Sequence, residues 1–353
     1  MITWRRFGSG EPQTMGRQRM SDFSRELAVA VQAVRQAARV CMAVRAGLHQ
    51  ADAVSKTDQS PVTVADYASQ AVVASVLRAQ CPQDVLVAEE SAAELRRPEA
   101  AAVRRAVVER VAGELGSQAG EKQVLTWVDC GQGGGAGGNP ERFWTLDPID
   151  GTKGFLRGDQ YAVALALVVA GRPVVGVLAC PHLEVTDAQG KARGVLLAAV
   201  RGQGTRELLL EGEGLEPSRA VCVSRVSQAS QARLCESYES GHSDHDAAGD
   251  VARRLGLTLP PVRMDSQAKY ACVALGRAEL YLRFPTVATR PENIWDHAAG
   301  VIVVEEAGGQ VSDLAGQGLD FSRGSGLTAN RGVVASNGLL QEAVLAALRG
   351  TGD

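Results

Sequence analysis

Apolar residues open the chain with helical spacing: Phe23, Leu27, Val31, Val34, Ala38 and Cys41 fall on one face. Ser21 or Asp22 can cap such a helix, and the pattern carries it to about Val44. The polar stretch HQADAVSKTDQSPVTVADYASQ leads into a second helix that ends before Pro82, where a missing N–H interrupts the helical ladder. DVLVAEES reads as a short buried strand closed by acids. Residues 92 to 140 look peripheral, an Arg/Glu-rich helical piece followed by the glycine-rich surface loop CGQGGGAGGNPE.

In RFWTLDPIDGTKGF, residues 142 to 155, the apolar run is a buried strand that Pro148 and Gly151 stop abruptly. Asp147 therefore falls at a strand end and Asp150 in the turn beyond. YAVALALVVAGRPVVGVLACP is a hairpin joined by Gly-Arg-Pro, and GVLLAAVRGQGTRELLL repeats that plan. From about Pro217 short strands alternate with helices near 246 to 255, from Ser266 to Leu275, from Asp296 onward and at the C-terminus. The class is α/β (α+β), with strands sandwiched by helices and no internal repeat. Three segments are expected: an extension without structure at 1–20, an N-terminal half at 21–215 and a C-terminal half at 216–353.

A chain of 353 residues with 45% hydrophobic content can bury a large core. Its net charge of -3, from 37 basic and 40 acidic residues without a dense basic block, argues against a nucleic-acid or membrane surface. A small charged ligand and a monomeric state are expected. Seven cysteines, an odd number without a CxxC pair, read as reduced thiols of an intracellular protein. No uninterrupted apolar run approaches the roughly 20 residues needed to span a bilayer. The first twenty residues carry four arginines and one acid, an echo of an organelle transit peptide. A cytoplasmic protein is expected, with plastid or mitochondrion as the alternative.

Asp147 and Asp150 place two carboxylates close together, which raises one pKa or calls for a cation. Magnesium suits them, since it accepts carboxylate, carbonyl and water oxygens and leaves positions for a substrate phosphate. Gly151 and Thr152 can offer N–H groups and a hydroxyl to that phosphate if a helix or tight turn begins there. The structural alternative is a capped turn with two solvated aspartates. Three further acids belong with them. Glu89 closes its strand or sits as a helix-start acid. Asp66 lies three residues after Thr63 and on its own reads as a capping-box acid. Asp296 begins a helix, where the alternative is an N-cap or first-turn acid.

In their order, SPVTVADYASQ, VAEES, FWTLDPIDGTKGFLRG and IWDHAAGVIVVEEAGG resemble the lithium-sensitive, magnesium-dependent phosphatases of the inositol monophosphatase superfamily. GHSDHD and DSQAKYACVALGRAELYLR, with SPVTVADY, resemble its 3'(2'),5'-bisphosphate nucleotidase branch. The resemblance spans about 21 to 350 and implies a layered αβαβα sandwich. It also implies two to three Mg2+ ions: one on Glu89, Asp147 and the Ile149 carbonyl, one on Asp147, Asp150 and Asp296, and a third on Asp66 with Glu89. Asp66 and Thr152 would activate water, while His242, Ser266, Lys269 and Arg283 would contact adenosine and its phosphates.

The implied reaction removes the 3'-phosphate of adenosine 3',5'-bisphosphate to give AMP, with 3'-phosphoadenosine 5'-phosphosulfate as a second substrate. Lys269 and Arg283 would neutralise the phosphate that is not cleaved, although taken singly each reads as surface charge. The same metal residues suit an inositol mono- or bisphosphate phosphatase, and a silent nucleotide sensor is the rival from another class. The extension at 1–20 and the loose insert at 131–138 depart from the family pattern.

Overall fold

The computed structural model describes residues 22–47, 61–116, 119–133, 139–186, 192–238, 245–285 and 291–350. The extension 1–20, the loop at 48–60, most of the glycine-rich insert and His242 lie outside the described residues. Helices α1 (Ser24–Ala46) and α2 (Pro61–Gln80) open the fold. Val31, Val34, Ala38 and Cys41 form the buried stripe of α1, and Asp22 accepts the Ser24 N–H at 3.0 Å, satisfying one free donor of the helix start. α2 begins at Pro61, earlier than the polar sequence suggested, because proline at the first helical position gives up only a donor that is unpaired there anyway.

Seven strands follow in one sheet, ordered as in the chain: β1 (Val85–Ala88), β2 (Arg142–Asp150), β3 (Ala162–Val169), β4 (Arg172–Thr186), β5 (Ala192–Val200), β6 (Gly204–Leu209) and β7 (Ser218–Val221). β1 and β2 are parallel, and the remaining pairs are antiparallel. A five-stranded sheet contains β8 (Leu234–Glu236), β9 (Val262–Arg263), β10 (Leu280–Arg283), β11 (Gln310–Ser312) and β12 (Val333–Ser336), in the order β11-β12-β10-β8-β9. The other helices are α3 (Ala101–Leu115), α4 (Glu121–Asp129), α5 (Thr152–Arg157), α6 (His245–Leu255), α7 (Ala268–Ala274), α8 (Ala298–Glu306) and α9 (Gln341–Arg349).

Three hydrophobic cores separate five layers. Trp144, Leu146, Val163, Leu165 and Leu167 face α1 and α2, while Phe143, Ala164, Ala166 and Val168 face α7 and α8. Both faces of β3 are covered, which is why it reads as a continuous apolar run instead of alternating with polar residues. Its alanines on the second face let α8 approach closely. Beyond α7 and α8 lies the second sheet, whose outer side packs Leu280, Leu282 and Val334 against Val251 of α6 and Val344 and Leu348 of α9. The arrangement is the αβαβα sandwich expected from the sequence. By length and composition alone α1 is long and apolar enough to cross a membrane. Its apolar face is instead core, since 61% of its most apolar window is buried within the protein.

Residues 92 to 140 are not peripheral. Val103, Val107 and Val111 of α3 and Val124, Leu125 and Val128 of α4 enter the first core, because their spacing gives each helix one apolar stripe despite the charged residues between them. The β3–β4 turn is made by Ala170 and Gly171, at φ 49 and 72, and not by Gly-Arg-Pro. Two successive left-handed residues match the right-handed twist of the flanking strands. α7 is also shorter than the sequence suggested, because the backbone of Ser266 at φ 66 cannot belong to a right-handed helix.

Gly176 of β4 sets the contact between the first sheet and α8. A Cβ added there would lie 2.3 Å from Ile302 Cγ2 and 3.1 Å from the Ala299 carbonyl. Gly176→Ala should therefore lift α8 off the sheet and destabilise the protein by about 1–3 kcal/mol, read as a lower midpoint in thermal or urea unfolding. An unchanged midpoint would show that this helix is not held against the sheet at Gly176.

Candidate active site

The end of β2 is built to hold acids. Asp147 pairs in register with Ala164 and Asp150 with Ala162, and the ladder shifts between them at Pro148 and Ile149. Proline has no N–H for the ladder, so the strand bulges and aims its last residues differently, as bulges beside functional sites commonly do. The Pro148 carbonyl accepts a hydrogen bond from Ser69 of α2 at 2.9 Å. One residue later in α2, Gln70 donates to the carbonyls of Glu90 and Val128, each at 2.7 Å, and accepts the Glu90 N–H at 3.0 Å. This side chain pins the segment after β1 beside the end of β2. Asp66 and Glu89 are thereby brought to Asp147.

The carboxylates of Asp66, Glu89, Asp147, Asp150 and Asp296 act on one another across one site. Asp147 is 2% exposed, and burial, followed by repulsion from Asp150, Glu89, Asp296 and Asp66, pushes its carboxyl well above the usual range. Burial and the neighbouring Glu90 and Glu89 push Asp66 in the same direction. The Glu89 residue reaches the surface, but its carboxyl is withdrawn from water, and that desolvation together with Glu90, Asp296 and Asp150 raises it to about 8. Asp147 Oδ1 is buried without a hydrogen-bond partner among the described residues. A partnerless carboxylate oxygen among like charges is the signature of a site for a hard divalent cation, and this all-oxygen donor set fits magnesium.

The turn after Asp150 begins a short helix. Gly151 stands at φ 86 before α5, where a Cβ would lie 2.8 Å from Ser266 Cβ, so glycine is required both by conformation and by the closeness of the α7 segment. The Thr152 hydroxyl lies 3.5 Å from the Ile149 carbonyl. Ser266 holds its strained φ of 66 and accepts the Ala268 N–H at 3.1 Å. Gln267 ties three parts together. Its N–H donates to Asp150 at 2.6 Å, its amide donates to the Trp295 carbonyl at 2.9 Å, and its oxygen accepts the Gly300 N–H at 3.1 Å. Arg157 of α5 is bonded to buried Asp265, fastening α5 to the residue before Ser266.

Two cations, buried Lys269 and half-buried Arg283, face the acids from α7 and β10. Lys269 is 3% exposed; its ammonium lies 3.4 Å from the Met264 carbonyl and 5.3 Å from the centre of the Tyr281 ring. Burial lowers its pKa, against the pull of Asp150. Arg283 is not a free surface charge. Its Nη2 lies 2.6 Å from Glu292 and 3.4 Å from Asp296, and its Nε is buried without a partner among the described residues.

The structure thus assembles Asp66, Glu89, Asp147, Ile149, Asp150, Gly151, Thr152, Ser266, Lys269, Arg283 and Asp296 from both sheets. His242 lies outside the described residues. Two structural alternatives do not hold. Asp66 cannot close a capping box with Thr63, because both lie inside α2, which starts at Pro61. Asp296 is neither N-cap nor first-turn residue, because α8 starts at Ala298 and its cap position is His297. Gln70, Gln267 and Glu292 were missed by sequence reasoning. The first two act through amides whose partners are distant in sequence, while Glu292, four residues before Asp296, carried a readable acid spacing. Glu292, Asp296 and His297 bring ligand-capable atoms within 4.8 Å of one another, but the guanidinium of Arg283 already serves that group.

An acid-lined strand end facing buried cations across a five-layer sandwich places the chain in a class of phosphatases: it belongs to the inositol monophosphatase family, whose model matches residues 22–352. Among its relatives, a protein of Oryza sativa named 3'(2'),5'-bisphosphate nucleotidase is 43% identical over 343 residues, covering 93% of this chain and 94% of that one. Proteins of the same name from Emericella nidulans and Schizosaccharomyces pombe are 43% and 41% identical, over 84% and 89% of this chain and 90% and 92% of theirs. Solved structures share the fold. An inositol monophosphatase from Anabaena aligns with TM-score 0.58 at 24% identity, over 94% of this chain and 97% of that one. One from Zymomonas mobilis aligns with TM-score 0.61 at 21% identity, over 93% and 99%.

The raised acids make a prediction about stability. Glu89 titrates at 4.5 in the unfolded chain and at about 8 in the metal-free folded protein, so the folded state binds more protons across that window. Its contribution to stability is complete below pH 4.5 and is lost as pH rises through 8. Metal-stripped protein should melt at a lower temperature at pH 8 than at pH 6, and added MgCl2 should raise the midpoint more at pH 8. A metal-free midpoint that rises between these values, or no response to MgCl2 at either, would contradict the assignment of this acid cluster to a cation.

Proposed function

We propose that this protein hydrolyses the 3'-phosphate of adenosine 3',5'-bisphosphate to AMP and phosphate, and acts likewise on 3'-phosphoadenosine 5'-phosphosulfate. The observation that carries the reading is the unpartnered Oδ1 of Asp147 within an acid cluster, with the cations Lys269 and Arg283 on the facing segments. Kinship with proteins named bisphosphate nucleotidases supports the nucleotide part of the reading. Glu89, Asp147 and the Ile149 carbonyl would hold one Mg2+, Asp147, Asp150 and Asp296 a second, and Asp66 with Glu89 a third. When bound, the metal supplies positive charge to the attacking water, the transferring phosphoryl group and the leaving oxygen.

The chain's own groups do the rest. Asp66 accepts the water's proton, a task suited to a carboxyl whose proton affinity burial has raised. Thr152, at the start of α5, orients the same water with its hydroxyl, and Gly151 lets the backbone approach the phosphate. The water attacks phosphorus in line as the ribose oxygen departs, so no covalent intermediate is required. Lys269 is a buried ammonium next to a carbonyl and an aromatic ring, with no ion pair among the described residues. The phosphate that stays on the nucleotide supplies the anion. Arg283, whose Nε has no partner among the described residues, would be a second cation for that phosphate. The direct test is phosphate release from adenosine 3',5'-bisphosphate and from inositol 1-phosphate, each with magnesium and with chelator. Activity in excess chelator removes the metal mechanism, and faster release from the inositol ester removes the nucleotide assignment.

Two variants separate catalytic from structural roles. Asp66→Asn should lower turnover by orders of magnitude without lowering the metal-free melting midpoint, because it removes a crowded acid and no cap. Unchanged turnover would take the proton-accepting role away from Asp66. Lys269→Ala should cost on the order of 1.5 to 3 kcal/mol in kcat/KM for adenosine 3',5'-bisphosphate, as for a charge-assisted hydrogen bond, and far less for adenosine 3'-monophosphate. Equal losses on the two substrates would mean that Lys269 does not bind the second phosphate.

A further inference from the structure

Behind Arg283 lies a line of buried groups that the reaction does not use. The Tyr270 hydroxyl sits 2.7 Å from His297 Nδ1. His297 is 0% exposed, and its Nε2 faces Glu292 Oε2 at 3.6 Å, in electrostatic contact but too far for a hydrogen bond. With Nδ1 accepting from tyrosine, the ring proton is on Nε2 and points at the Glu292 carboxylate; the other tautomer would aim a lone pair at it. Gly300 makes room for Tyr270, since a Cβ there would lie 2.3 Å from the ring. Burial opposes ionisation of Glu292, but His297 and the charge of Arg283 outweigh it and hold the carboxyl down at about 2. An ionised Glu292 therefore stands on a rigid footing.

The front of that line is a competition. Arg283 Nη2 is shared between Glu292 at 2.6 Å and Asp296 at 3.4 Å. Asp296 is one of the acids assigned to magnesium, and a guanidinium resting on it would compete with the metal for its charge. We propose that Glu292, braced by His297, is a positioning residue that restrains Arg283 and keeps it from closing further on Asp296. The proposal rests on the metal-dependent reading of the site.

The test uses the full-length chain, stripped of metal with chelator and titrated with MgCl2 in a calorimeter without substrate. Glu292→Gln keeps the shape of the side chain and removes its charge, and its melting midpoint is checked against the parent. It should weaken Mg2+ binding about tenfold, within the usual range of coupling between neighbouring sites. Adding Arg283→Ala to that variant should restore binding to the parent level or better, because the competitor is gone. With saturating magnesium, Glu292→Gln should raise KM for adenosine 3',5'-bisphosphate more than it lowers kcat. An unchanged Mg2+ affinity in Glu292→Gln, a double variant as weak as the single one, or a fall in kcat with KM unchanged each overturns the positioning role. A parent protein that binds no Mg2+ would instead overturn the metal reading itself, so the two failures are distinguishable.

Discussion

Repulsion among carboxylates withdrawn from water is the constraint on which the rest of this structure depends. Asp147 is buried at the end of a strand with Asp66, Glu89, Asp150 and Asp296 acting on it, an arrangement that costs stability until protons or a cation offset it. Most of the surrounding architecture can be read as the scaffold that resists this repulsion. β2 is held between β1 and β3, Ser69 and Gln70 tie α2 to the bulge and to the segment after β1, and Gln267 ties Asp150 to the approach to α8. Without these ties the acids would move apart and be solvated.

The layering explains why the site is at the end of an interior strand of the first sheet and not in a loop alone. Both faces of the large sheet are covered, by α1 and α2 on one side and by α7 and α8 on the other, so its strands cannot bend to relieve the charge. α7 and α8 also carry the opposing chemistry. Lys269 lies in α7, and Asp296 precedes α8 by two residues. Packing that buries apolar surface, such as Ile302 against the backbone at Gly176, thus also fixes the distance between anionic and cationic walls. Fold stability and site geometry are coupled through the same contacts.

Arg283 shows how a charge is held once it is partly withdrawn from water. An unpaired guanidinium there would be costly, and one fully paired with the clustered acids would be neutralised. Here it is anchored on Glu292 through Nη2, in longer contact with Asp296, and left with an unsatisfied Nε among the described residues. Lys269 is handled differently, with a carbonyl and a ring face in place of a carboxylate.

The sequence by itself determined the layered α/β class, most of the elements and the five acids, because each rests on local signals. Apolar periodicity marks α1 and the strands; proline shifts the β2 ladder between Asp147 and Asp150, and Asp150 is the strand's last residue rather than part of the turn beyond it. It misjudged α4, the start of α2 and the turn at Ala170, where packing or strand twist overrides composition. Only the tertiary structure decided which role each acid can hold. Asp66 reads locally as a cap, but it lies within a helix that starts at Pro61 and faces Glu89 and Glu90. Arg283 reads locally as one more surface charge, but it is half-buried at the end of β10 and paired with Glu292. The reason is physical: local sequence sets backbone propensity and which face of an element is apolar, whereas desolvation and charge interaction depend on groups far apart in the chain that meet only when the layers pack.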